Sequence, residues 1–151
     1  MMTSLQRLIL AGALLTAAAG PAWAEAPLVE MHKDPNCGCC TAWAEHMEAA
    51  GFAVRLHEAR DMRAVKIEHG VTPGLASCHT AVVDGYVIEG HVPAADVRRL
   101  LDERPDLAGL AVPGMPHGSP GMETGRHDDY AVLGWRHDDR TPSVFAEYTH
   151  D

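Results

Sequence analysis

Residues 28–57 read LVEMHKDPNCGCCTAWAEHMEAAGFAVRLH, and the fold is decided by this stretch. Leu28 to His32 is a short apolar run that suits a first strand. Asp34-Pro35-Asn36 is a turn signal, and Cys37-Gly38-Cys39-Cys40 follows it at once. Thr41 to Ala50 are good helix formers, with Trp43, Met47 and Ala50 at helical spacing, so Trp43 and Met47 read as the core face of one helix. Gly51 is placed to end it, and Phe52 to His57 alternates like a half-buried strand. The sequence therefore predicts a strand, a cysteine motif at a helix start, and a second strand.

Further along the chain, Asp61 can cap a helix through His69, with Met62, Val65 and Ile67 as its apolar residues and Gly70 as its end. A Pro73-Gly74 turn leads to Cys78 and a strand from His79 to Val83. Asp84-Gly85 is a two-residue hairpin signal, with Tyr86 to Glu89 as the return strand. Pro93 to Arg104 reads as a helix opened by one proline and stopped by Pro105. The order β-α-β-α-β-β-α over about 80 residues, with C-x-x-C in a βαβ setting, predicts an α/β thioredoxin-like domain over residues 25–107. Residues 108–151 are expected to pack on that same domain. Leu110 to Met122 is rich in proline, glycine and apolar residues, too apolar for a solvated linker, and reads as an ordered loop wrapping the surface. Tyr130 to Trp135 and Ser143 to Tyr148 read as a terminal β-hairpin.

The first 24 residues read as an address. Arg7 provides the positive start, Leu8 to Ala19 the apolar stretch, Pro21 a break, and Ala22-Trp23-Ala24 a small-x-small cleavage site. A mature chain from Glu25 would be exported to a periplasm, with its balance moved from −9 to −10 by loss of Arg7. No cysteine follows the cleavage site, so a lipid anchor is not indicated. Nothing after the leader approaches the roughly 20 apolar residues of a membrane span. With 12 Lys plus Arg against 21 Asp plus Glu, the chain lacks the basic face a nucleic acid needs.

The four cysteines carry the chemistry. C-x-C-C contains both C-x-x-C (Cys37 and Cys40) and an adjacent pair, and in this fold the start of the third strand brings Cys78 beside the motif. A helix N-terminus favours thiolate, and thiolates select Cu(I), zinc or iron–sulfur centres. Adjacent Cys39 and Cys40 diverge too much for one tetrahedral zinc ion. Cu(I) accepts two or three sulfurs and allows a sulfur to bridge two ions, so the pattern favours copper over zinc, with a thiolate-bridged cluster as one form open to it; the number of ions is not fixed by the pattern. Two structural disulfides fit an adjacent cysteine pair poorly. A thiol–disulfide oxidoreductase using Cys37 and Cys40 leaves Cys39 and Cys78 unexplained, yet it stays as the main alternative. An iron–sulfur electron carrier is a further one.

These residues resemble the bacterial periplasmic copper-resistance protein G family, a thioredoxin-like metal-binding family with four cysteines. The matching stretches are KDPNCGCC (33–40), SCHT (77–80), GYVIEGHVP (85–93) and VPGMPHGSPGME (112–123). The resemblance implies copper bound by Cys37, Cys39, Cys40 and Cys78, and a role in copper resistance beside periplasmic copper-export or copper-oxidation proteins, with copper redox activity as an extension. No substrate pocket or general base is legible, so no catalysed reaction is assigned.

Weaker metal candidates surround the cysteines. Met115 and Met122 offer thioethers, though methionines in an apolar loop usually pack. His79 would face away from Cys78 if both lay in a strand, which points to a core or surface role. His91 and His117 could each be a donor behind the ligands or a loop residue bound to backbone. His127, His137 and His150 lie among aspartates on a tail expected to be solvated.

Overall fold

The computed structural model describes residues 25–139 and 141–150; the expected signal peptide lies outside them. The architecture is mixed α/β: one seven-stranded sheet and three helices. In chain order the elements are β1 (Leu28–Lys33), α1 (Gly38–Ala49), β2 (Ala53–Glu58), α2 (Met62–Glu68), β3 (Thr80–Val83), β4 (Tyr86–Glu89), α3 (Ala94–Glu103), β5 (Gly109–Ala111), β6 (Tyr130–Trp135) and β7 (Ser143–Tyr148). The sheet runs β2-β1-β3-β4-β5-β6-β7. β1 and β2 are parallel, as a helical crossover requires, and β3 and β4 turn back antiparallel. The first four strands and three helices thus have the thioredoxin-like order expected from the sequence.

Local chemistry explains the boundaries. The α1 helix begins at Gly38, three residues before the expected Thr41, because the Cys37 sulfur accepts from the Cys40 N–H at 3.3 Å and serves as its N-cap. Asp61 caps α2 through its carboxylate to the Ala64 N–H at 3.0 Å, a contact that typically contributes about 1 kcal/mol. At the β3–β4 hairpin Asp84 and Gly85 both take positive φ (48° and 87°), the pairing that a twisted two-residue turn demands.

Alternation of β1 decides the two faces of the sheet. Val29 and Met31 are fully buried against Trp43 and Met47 of α1 and Val97 and Leu100 of α3. Glu30 and His32 point the other way, where α2 lies: Lys66 of α2 reaches Thr80, the cross-strand partner of His32. The strand β5 was not anticipated. It pairs parallel with β4 and antiparallel with β6, so the last three strands continue the same sheet. Among the described residues, no helix is long and apolar enough to cross a membrane.

Candidate metal centre

The site forms where the ends of three segments meet: the β1–α1 connection, the residues entering β3, and the 113–122 loop. The Cys37 N–H bonds to the Asp34 carbonyl at 3.0 Å, which closes the turn ahead of α1 and places C-x-C-C at the helix N-terminus. Cys78 comes from the other side. Its neighbour Ser77 donates its N–H to Glu89 at 2.6 Å, and that buried carboxylate also accepts from Thr80 (2.6 Å) and Lys66 (2.6 Å). An unpaired charge there would be expensive, so the Lys66–Glu89 pair anchors the approach to Cys78.

The structure brings together all four sulfurs of Cys37, Cys39, Cys40 and Cys78, each within 4.8 Å of the others. Cys37 and Cys40 are joined in a disulfide, with Cα atoms 5.4 Å apart. Cys39 and Cys78 remain thiols. Cys39 sits between the bridge and the remote cysteine, 3.4 Å from the Cys37 sulfur and 3.9 Å from that of Cys78. This is the oxidised form of the cluster, in which two of the four sulfurs can ionise. Burial first, then the neighbouring Cys39, pushes the Cys78 thiol up to about 12. Cys78 thus stays protonated at neutral pH.

Two histidines complete the surroundings of Cys78. His91 lies with Nε2 3.0 Å from the Cys78 sulfur and donates from Nδ1 to the Pro120 carbonyl at 2.8 Å. Burial keeps its pKa below the ordinary value, so the ring is neutral and Nε2 presents a lone pair to the Cys78 S–H. His79 is fully buried, its ring tilted against Trp43 (4.5 Å between centroids) and edge-on to His91 (5.1 Å). Burial holds it neutral, its Nδ1 is 3.3 Å from the Cys78 sulfur, and its Nε2 has no hydrogen-bond partner among the described residues. The expected divergence of Cys78 and His79 does not occur because β3 starts only at Thr80, and the alternation of a strand does not apply before it. Cys78, His79 and His91 form a second donor group that shares Cys78 with the first.

The 113–122 segment is an ordered loop over this site. His91 pins it at Pro120, and Gly121 presses on the first turn of α1. A Cβ at Gly121 would lie 2.7 Å from the Cys39 carbonyl oxygen, and its φ of +86° suits glycine. Of the weaker candidates, Met115 is half exposed and Met122 is half-buried directly after Gly121. His117 is bound to Thr124 (2.6 Å) and belongs to neither donor group. His91 reaches the site through the hairpin. The β3–β4 register pairs Thr80 with Glu89, and continuing it outward sets Cys78 opposite His91.

Soft sulfurs and neutral imidazoles converging in one half-buried to buried site define a thioredoxin-like protein with a cysteine cluster able to hold a metal. A family model described as "Protein of unknown function, DUF411" matches residues 75–122, the span from the approach to Cys78 to the end of the loop. The solved structure "Copper resistance protein copG- Form 2" is 53% identical, with a TM-score of 0.79, covering 83% of this chain and 100% of that chain. "Copper resistance protein copG- Form 1" has the same identity and coverage, with a TM-score of 0.78. The chain belongs to the copper resistance protein CopG family. No curated protein matches it.

Proposed function

We propose that the chain is an exported, periplasmic copper-resistance protein that sequesters Cu(I) through Cys37, Cys39, Cys40 and Cys78, with sulfurs bridging more than one ion. The observation that carries this reading is the meeting of the four sulfurs within 4.8 Å of one another. Each sulfur is a soft donor, and sulfurs this close together can be shared between ions where more than one is bound. The leader ending at Ala24 and the mature start at Glu25 belong to this reading, as do copper-export or copper-oxidation proteins as partners. So does a division into a domain over 25–107 and a wrapping loop and hairpin over 108–151. Copper resistance in the names of its relatives supports the physiological role.

Loading needs the bridge open. A dithiol reductant would become a disulfide and pass two electrons and two protons to Cys37 and Cys40, leaving four thiols. Cu(I) would then displace the thiol protons to solvent, and the neutral Nε2 of His91, 3.0 Å from the Cys78 sulfur, would orient that thiol by hydrogen bonding until its proton is lost.

The Cys37–Cys40 disulfide itself favours a second reading, thiol–disulfide exchange in the periplasm. Anaerobic titration of the fully reduced protein with Cu(I) separates the two. The copper reading expects more than one ion per chain, thiolate-to-copper ultraviolet absorption and retention against a moderate Cu(I) chelator; loss of all copper to that chelator contradicts it. In Cys78→Ser, copper binding should fall while any insulin-reductase activity of Cys37 and Cys40 survives. Iron and visible colour in freshly purified protein would instead indicate an iron–sulfur carrier.

A further inference from the structure

Three half-buried histidines lie together on the other face of the sheet. His32 of β1 is the parallel register partner of His57 in the edge strand β2, and the two rings stack with centroids 4.9 Å apart. His69, the C-cap of α2, brings a third ring 5.7 Å from His32. Each comes from a different element, so it is the β1–β2 pairing and the seating of α2 on β1 and β3 that assemble them.

We propose that His32, His57 and His69 form a second metal site, separate from the cysteines, that takes a divalent ion of the Cu(II) class. Metal–imidazole bonds of about 2 Å place ring centres about 3 Å from the ion, and those of co-ligands roughly 4.5–6 Å apart. The His32–His57 and His32–His69 separations fall in that span, while the ring nitrogens of the three do not yet lie within 4.8 Å of one another, so side-chain turns must close the site. The setting of His57 suits ligation. His57 Nε2 lies 2.5 Å from Glu30, so a neutral ring that donates there would present Nδ1 as its free nitrogen, the carboxylate–histidine–metal pattern that orients a ligand. Glu30 is held in turn by Arg55. The stacked His32 and His57 rings are not yet radial to one point, and loading turns one of them; His57 is 42% exposed and free to do so. Imidazole donors bind Cu(II) above the other divalent ions of the first transition row. The site thus complements the sulfur pocket in the oxidation state it selects, yet does not depend on the copper reading of that pocket.

The test uses Cys39→Ser/Cys78→Ser protein with the Cys37–Cys40 disulfide closed, so that no thiol can bind or reduce the probe, and copper(II) chloride as that probe. Electron paramagnetic resonance should show nitrogen coupling from one tightly held Cu(II) per chain. Amide signals around His32, His57 and His69 should broaden first in NMR titration. His32→Ala and His57→Asn should each weaken binding at least about tenfold. Broadening centred elsewhere, as on the stacked pair His127 and His150, overturns the proposal, and so does unchanged affinity in a folded His57→Asn protein. The broadening pattern is read without any histidine variant, so a folding defect in one cannot hide the answer.

Discussion

The sulfur pocket and the histidine face are built on the same strands and differ in almost every physical respect. The sulfurs stand where β1 and β3 meet their connections, at a helix N-terminus, beneath a glycine- and proline-rich loop. The three imidazoles stand on the opposite side of the sheet, toward its β2 edge and open on one flank. Enclosure suits soft, oxidisable donors that must be kept from water and from each other's oxidation; exposure suits imidazoles that take and release a hydrated divalent ion. One sheet can therefore hold two donor sets of different hardness, provided that strand alternation sends them to opposite faces.

The Lys66–Glu89 pair connects the two regions, reaching from α2, which carries His69, to Thr80 opposite His32 and to Ser77 beside Cys78. Lys66→Met should have the largest effect, because it leaves a fully buried carboxylate unpaired. A loss of about 3–5 kcal/mol in denaturant unfolding is expected, with weaker metal binding at both places. Unchanged stability would mean that the pair does not organise either region. Next in size, Cys78→Ser should lower Cu(I) affinity by about a hundredfold, since a hydroxyl is a poor ligand for this ion. Cu(II) uptake at the histidine face should not change. A parallel loss at both places, measured by chelator competition, would show that they are one system.

His91→Ala should cost about tenfold in Cu(I) affinity, because it removes both the Cys78 partner and the tie to Pro120. Proteolysis within 113–122 should speed up in the same variant; an equally protected loop would show that other contacts hold it. The smallest effect needs no substitution. A thiol with a raised pKa stays protonated, and therefore unreactive, below that value. With Cys78 pushed up to about 12, iodoacetamide at pH 8 should label Cys39 several-fold faster than Cys78, and Cys78 labelling should climb as pH rises toward 12. Equal rates, read by peptide mass spectrometry, would contradict that protonation state.

Much of this arrangement was legible before the structure. The cysteine motif after an apolar strand, the Asp84-Gly85 turn and the Asp61 cap identify six of the seven strands and all three helices. β5 escaped because three residues, Gly109 to Ala111, cannot display an alternation. α1 was started late because a cysteine sulfur is not among the usual capping groups. β3 begins one residue after His79, so strand alternation does not set that side chain's direction, and the ring is buried against Trp43. His91 needed only the hairpin register, carried two residues past Glu89. The histidine face was invisible for a different reason: His32 and His69 lie 37 positions apart, with His57 between them, and the three meet only through parallel pairing and a helix seat, which no local spacing encodes. Nor could sequence choose between closed and open forms of Cys37 and Cys40, since that depends on electrons rather than on residues.

The proposed sulfur pocket is tested most directly by X-ray absorption at the copper edge on reduced protein loaded anaerobically with Cu(I). The account predicts a monovalent edge, a first shell dominated by sulfur, and a short copper–copper scattering path from bridged ions. A shell dominated by nitrogen or oxygen, or isolated ions with no metal neighbour, would contradict it.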